Sequence, residues 1–439
     1  MILTFKTNFK RKLENMNKLI KLSLITTIAL STVAFAEKGK DVKTPKEAKD
    51  LTEMFSDGEV SGQIRLGYAT NRVKTSGDKD TYATAAGGQL KYETASLMGV
   101  SFGAAMQTSH SINGLSGRDD KYNNELASNE KSYTELAEAY VNFSYEGFEF
   151  RGGRQLIDTP LADSDDIRMT PHTFEAYIAS YTFKDLGLAF IAGNILSWQG
   201  VDSETDQGEP FSNAEKNVWA KTGENGTRVG AITYSTDYID TSIWYYDVTK
   251  ETTAFYADVA GTIPLGDESE IVLSAQYLTE NDQKKDGINS DIEGSIIGAM
   301  VEAKFYNLTT TLAYDKVSVK DGKSIFEGFG GGASYTNLDT VTAGALHDGS
   351  YGDGSSYMLG LSYEVAGFTI FGAYGDYKAD AIGGGDKAHV SEMNFGLEYE
   401  YSDGEADIAL IYVVGKDRES SAKTEFDNDR IQVVLNYNF

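Results

Sequence analysis

Side chains able to do covalent or metal chemistry are scarce in this 439-residue sequence, and they do not cluster. There is no Cys, which removes thiolate nucleophiles, thiolate metal sites and disulfides. The four histidines, His110, His172, His347 and His389, are spread over expected loops without metal-ligand spacing. Gly328-Phe329-Gly330-Gly331-Gly332 and Gly383-Gly384-Gly385-Asp386 lack the Lys-Ser/Thr end of a phosphate loop. No Ser sits in a nucleophile elbow with a partner His. Asn225-Gly226-Thr227 and Asn307-Leu308-Thr309 fit the glycan-acceptor pattern, but Asn307 lies in an expected tight turn. The acidic stretches 202–209 and 280–291 lack EF-type spacing and read as solvated charge rather than a Ca²⁺ site. Neither an enzyme nor a cofactor is expected. What remains is charge arranged along a wall, where it can select solutes by field and by width.

The elements that hold those charges are extended. In the last eleven residues, Asp429 to Phe439, Ile431, Val433, Leu435, Tyr437 and Phe439 share one face. Arg430, Gln432, Val434, Asn436 and Asn438 share the other. The same alternation of oily and wet positions recurs in 60–69, 89–93, 271–277, 297–305, 356–364 and 393–401. Charged residues repeatedly occupy the wet face, and Tyr and Phe gather near strand ends. That is the pattern of a barrel with lipid outside and water inside.

Connections alternate in length. Short turns are expected at 95–96, 146–147, 184–185, 235–239, 264–269, 306–307, 365–366 and 402–405. Long polar loops are expected at 71–81, 109–132, 156–172, 199–226, 280–293, 320–355, 378–390 and 416–428, with a brief one near 249–253. The fold class is therefore an all-β, transmembrane, antiparallel up-and-down β-barrel of about 18 strands, closed by its first and last strands.

Composition and termini agree. Gly (45) and Tyr (27) are abundant, and Pro (5) is scarce. Lys18 and Lys21 precede an apolar run from Leu22 to Val33, and Ala34-Phe35-Ala36 offers a cleavage site. Residues 1–36 read as a signal peptide with 1–15 an upstream extension, 37–58 as a periplasmic segment with a weak helix around 48–55, and 59–439 as the barrel. Of a net charge of −27, six basic and one acidic residue fall in 1–36, leaving 33 basic against 65 acidic groups. That balance excludes nucleic acid as a partner.

The run Phe150-Arg151-Gly152-Gly153-Arg154-Gln155, then Asp158-Thr159-Pro160-Leu161 and Asp165-Asp166-Ile167-Arg168-Met169-Thr170-Pro171, resembles the third-loop region of OprD-type outer-membrane porins. Phe55 to Gly67 and the terminal Phe439 are similar to the porins of Campylobacter-related bacteria placed near that family. The resemblance implies an 18-stranded diffusion channel in a Gram-negative outer membrane, with loop 156–172 folded in as the constriction. Its charged residues would be Arg151 and Arg154 at the end of the fifth strand, and Asp163, Asp165, Asp166 and Arg168 in the loop.

A cationic side facing an acidic one would set up a transverse field. Alternatively, Arg168 pairs with Asp165 or Asp166 and simply holds the loop. Further wall charges are Arg65, Lys91, Glu138, Glu149, Glu302, Lys304, Glu398, Glu400 and Arg430, with basic positions few and scattered. Net acidity predicts mild cation preference. Expected partners are outer-membrane lipid, small hydrophilic solutes and ions, and the barrel-assembly machinery through the C-terminal strand, with a homotrimer as one oligomeric option. The alternative function is a non-channel surface barrel, an adhesin or a plugged structural protein.

Overall fold

The computed structural model describes residues 46–439, apart from 75–78, 129–130, 202, 204–217, 267, 284–290, 321, 348, 383–385, 420–423 and 425. The expected signal peptide, and parts of both acidic stretches, lie outside the described residues.

In chain order the strands are β1 (Glu59–Val73), β2 (Thr81–Glu93), β3 (Val100–Ser111), β4 (Ser132–Tyr145), β5 (Phe148–Gln155), β6 (Asp158–Thr159), β7 (Ala162–Asp163), β8 (Thr173–Phe183), β9 (Leu188–Gln199), β10 (Ala220–Lys221) and β11 (Thr227–Ser235). They continue as β12 (Ile239–Val248), β13 (Thr252–Gly266), β14 (Ser269–Asp282), β15 (Gly294–Phe305), β16 (Leu308–Val319), β17 (Tyr351–Val365), β18 (Phe368–Ala381), β19 (Ala388–Tyr401), β20 (Ala406–Asp417) and β21 (Asn428–Asn438). The two-residue strands β6 and β7 pair with each other, and β10 adds two pairs at the end of β9. The other eighteen strands form one antiparallel sheet that closes where β1 meets β21.

At the seam Arg65 stands opposite Asn436, and the backbones of Gly62 and Phe439 exchange hydrogen bonds of 2.9 and 3.0 Å. No edge is left to pair with another chain, which is the condition for a sheet to cross lipid. Among the described residues no helix is long and apolar enough to cross a membrane; the strands do so.

Side-chain alternation matches the sequence. Ile64, Leu66, Leu435 and Tyr437 are exposed on the outer face, while Arg65, Arg430, Gln432 and Asn436 are buried on the inner one. Turns at one rim are tight. Glu146-Gly147 and Ala366-Gly367 both take positive φ at the two central residues, the turn whose twist matches that of the paired strands. At this rim lies a short helix, α1 (Leu51–Ser56), N-capped by Asp50. Ala48 and Met54 pack on Ala95, so this helical segment is docked under the first turn.

The wet-lumen expectation needs one correction. On β8–β16 the loop-side half of the inner face is apolar, with Ile178, Ile195, Trp244, Tyr246, Ile296 and Val317 buried in one cluster. Two loops fold in to cover it. Loop 156–172 contributes Ile157 and Leu161, and loop 320–350 contributes Ile325 and Phe329. Burying each such side chain is worth about 2 kcal/mol, enough to draw both loops into the bore.

Candidate functional site

The two infolded loops lock together. Phe329 and Leu161 share a backbone hydrogen bond of 3.0 Å, and the N–H of Asp163 donates to the carbonyl of Phe329, also at 3.0 Å. Gly328 and Gly330 take φ of +118° and +82° at this crossing. A side chain at Gly330 would come within 2.5 Å of the Asp163 carbonyl. Only glycine adopts such backbone freely and leaves that space. This explains the Gly328–Gly332 run as a site of close approach.

Loop 320–350 is fastened to the wall by carboxylates. Glu280 accepts from the N–H of Phe326 at 2.8 Å, Asp315 from Thr336 at 2.8 Å, and Glu392 from Val341 at 2.8 Å. Within the loop, Glu327 accepts from the N–H of Gly344 at 2.6 Å.

Charge gathers on the β1–β21 seam. Arg65 grips Asp166 with two contacts, 2.6 and 2.7 Å, while its Nε donates to Asn436 at 2.7 Å and Nη1 to the carbonyl of Arg168 at 2.8 Å. Arg168 pairs with Glu125 at 2.9 Å and with Asp339 at 3.6 Å. Arg430 contacts Glu125 and lies 3.1 Å from Asp339. Gln432 accepts from Arg168 and donates to the carbonyl of Ile167. Three arginines widely separated in sequence thus make one buried column, joined by acids from three different loops. Barrel closure brings Arg65 and Arg430 onto one seam and the infolded loop adds Arg168, while Lys91, Arg151 and Lys304 stay scattered along the wall.

The other candidates divide. Arg151 is on the inner face, its guanidinium 4.4 Å from the centre of the Tyr140 ring. Lys91 flanks the same ring and pairs with Glu138 at 3.1 Å. Arg154 requires a correction. It alternates with Phe148 and Phe150 onto the outer face, lies over the Trp219 ring at 4.4 Å and donates to the Leu136 carbonyl. Asp163 is shielded between the loops, its carboxyl group pushed up to about 8 by burial and by neighbouring Asp158 and Asp165. The Asp165 carbonyl accepts from the N–H of His172.

Lower on the wall, Glu302 accepts from Thr311, and Lys304 is 3.9 Å from Glu364. Glu398 lies beside Asp407, and Glu400 is the next inward position of β19. Glu149 is exposed on β5. Sequence reasoning missed Glu125, Asp339, Glu280, Asp315 and Glu392. A signal was present for loop 320–350: Ile325, Phe326, Phe329, Tyr335, Leu338 and Val341 are too many apolar residues for a solvated loop.

A closed eighteen-strand barrel with an apolar outside, a charged bore and loops folded into it is an outer-membrane channel. The chain matches the family model described as outer membrane porin, OprD family, over residues 52–439, and it belongs to that family. It is an outer-membrane porin of the Gram-negative type, a channel for passive diffusion of small hydrophilic solutes, and not an enzyme.

Among solved structures it is similar to OccAB4 of Acinetobacter baumannii, at 15% identity, TM-score 0.71, covering 87% of this chain and 98% of that one. It is likewise similar to OccK1 (OpdK) of Pseudomonas aeruginosa, at 16% identity, TM-score 0.71, covering 88% and 99%. OpdL of Pseudomonas aeruginosa follows at 15% identity and TM-score 0.69, covering 88% and 99%. At such identities the likeness is one of fold. No curated protein matches the sequence.

Proposed function

We propose that this porin is mildly cation-selective, with the interlocked loops 156–172 and 320–350 as its constriction. The supporting observation is how the bore's charges are used. Arg65, Arg168 and Arg430 are each committed to a carboxylate. Toward the short-turn rim, inward Glu93, Glu149, Glu302, Glu364, Glu398 and Asp407 outnumber Lys91, Arg151 and Lys304. A narrow acidic passage raises the local concentration of cations over anions. Arg151, Asp163, Asp165, Asp166 and Arg168 are the residues of loop and wall to which this reading assigns the constriction.

The zero-current potential across a bilayer in a KCl gradient tests it. The expected sign is that of K⁺ passing faster than Cl⁻, and the opposite sign would end the proposal.

The same reading includes cleavage after Ala36, a periplasmic segment to residue 58, hand-over to the barrel-assembly machinery through the strand ending in Phe439, and trimeric association. The similarity of Phe55 to Gly67 and Phe439 to porins of Campylobacter-related bacteria is part of the same proposal. N-terminal sequencing of mature protein starting at Glu37, and a cross-linked species of three subunits, are the expected results.

A further inference from the structure

The outer face of β16–β20 carries a feature that solute diffusion does not use. Cross-strand register places Lys316 beside Ser355, Ser355 beside Lys378, and Lys378 beside His389. The N–H of Arg418 donates to the carbonyl of His389 at 2.7 Å, which extends the row to a fifth strand. With strands about 4.8 Å apart, the row runs roughly 19 Å across the barrel exterior.

These positions face outward. Lys316 alternates with exposed Leu312 and Tyr314, and Lys378 shares its face with Phe368 and Ile370. Arg418 reaches back to the outward Ser391, Nε to Oγ 2.7 Å. One step toward the short-turn rim the row reads Tyr314, Tyr357, Asp376, Ser391, Lys416. The next reads Leu312, Leu359, Tyr374, Met393, Val414. The cations therefore sit where the apolar belt ends, on the long-loop side, level with lipid headgroups.

The acids facing them are few. Asp376 is buried beneath the row, 2.9 Å from His389 and 3.6 Å from Lys378. Asp380 pairs with Lys387 at 3.3 Å, and Asp353 accepts from the N–H of Val319. Lys316, Lys378, Arg418 and Lys416 thus leave a net positive band on a chain of charge −27. Such a row, held against lipid rather than turned to the bore, needs anions at headgroup height.

We propose that the outer face of β16–β20 is a binding site for the phosphate groups of outer-leaflet glycolipid. Lys316, Lys378 and Arg418 would engage phosphate, with Tyr314, Tyr357 and Leu359 against the acyl chains. Juxtamembrane Lys and Arg attract anionic headgroups at about 1 kcal/mol each.

The test uses full-length protein in non-ionic detergent, titrated with bis-phosphorylated lipid A, with the same lipid dephosphorylated, and with inorganic phosphate. Compared are the wild type, the triple variant K316Q/K378Q/R418Q, and R228Q, an outward arginine of another sector paired with Asp247 at 3.0 Å. The expected result is that bis-phosphorylated lipid A binds wild type and R228Q alike, and that the triple variant weakens it by roughly tenfold or more. Heat-dependent gel migration and unchanged channel conductance would show the variant folded. Should it not fold, the single exposed substitution K316Q is read instead, with an expected loss of about threefold or more. Equal binding of dephosphorylated lipid, or a variant that binds as wild type does, overturns the site. Inorganic phosphate competing at equal phosphate concentration marks a small-anion site and overturns the lipid assignment.

Discussion

Arg65 and Asp166, 101 residues apart in sequence, meet in a two-pronged ion pair of 2.6 and 2.7 Å inside the barrel. Arg65 is fixed on the seam strand and nearly fully buried, so the pair tethers the end of loop 156–172 to the wall. It also cancels the charge Arg65 would otherwise present to a passing ion. Asp166 is 39% exposed, and Arg65 keeps its bonds to Asn436 and to the Arg168 carbonyl, but its buried guanidinium loses its carboxylate. Asp166→Asn should therefore fold and insert with a lower midpoint for the heat-dependent gel shift. It should move the reversal potential in a salt gradient toward Cl⁻, since an uncompensated guanidinium then faces the bore. A reversal potential equal to that of the wild type would remove Arg65 from the selectivity argument.

Asp339 of loop 320–350 stands 3.1 Å from Arg430 and 3.6 Å from Arg168. Through it the second loop spans from its apolar seat on β8–β16 to the seam. Asp339→Ala leaves two buried guanidinium groups sharing Glu125, and losing one partner of a buried pair costs about 3 kcal/mol or more. The loss should appear as a lower midpoint for the heat-dependent gel shift and as frequent brief closures in single-channel records. Asp339→Asn, which keeps the shape, should restore part of the midpoint but not the ion selectivity.

Gly330 is where the two loops touch. Its φ of +82° and the closeness of Asp163 leave no space for a methyl group. Gly330→Ala costs about 1 kcal/mol for the backbone alone, and steric overlap with Asp163 and His172 adds to it. The loops should separate at Asp163–Phe329, and the mean single-channel conductance should rise. Gly322→Ala offers a control. It also has positive φ, +71°, but open space around it, so it should leave conductance at the wild-type level.

Much of this was legible in the amino-acid order, for a definite reason. A strand puts every second residue on one face, so Leu66 and Tyr437 outside and Arg65 and Arg430 inside follow from counting. The same counting reassigns Arg154: it is three residues from Arg151, and an odd spacing puts the two on opposite faces of β5. The constriction was less legible because barrel closure brings Arg65 near Arg430, and an infolded loop, not sequence proximity, adds Arg168. Loop 320–350 resembled a solvated loop by its glycines, although its phenylalanines, tyrosine and isoleucine mark a segment that needs cover. The sequence pattern places Glu280 in a solvated acidic loop and marks neither Asp315 nor Glu392. Their role in holding loop N–H groups depends on a loop path that period-two patterning does not encode.

Asp163 gives the pore a pH dependence of definite sign. Its carboxyl group is raised to about 8 by burial and by Asp158 and Asp165, while in the unfolded chain it titrates near an ordinary aspartate value of about 4. Between those values the folded loop holds a proton that the unfolded chain has released. Stability must therefore fall as pH rises through this window, and the full penalty is present above about 8. The penalty falls on the small β6–β7 hairpin, whose Asp163 N–H reaches the Phe329 carbonyl. Channels should be quiet at pH 5 to 6 and should flicker increasingly toward pH 9, as the Asp163 carboxylate adds its negative charge to the hairpin. Asp163→Asn keeps a neutral side chain at every pH, so its records at pH 9 should match those of the wild type at pH 6. Wild-type traces that do not change between pH 5 and pH 9 would show that the hairpin does not sense this carboxyl group.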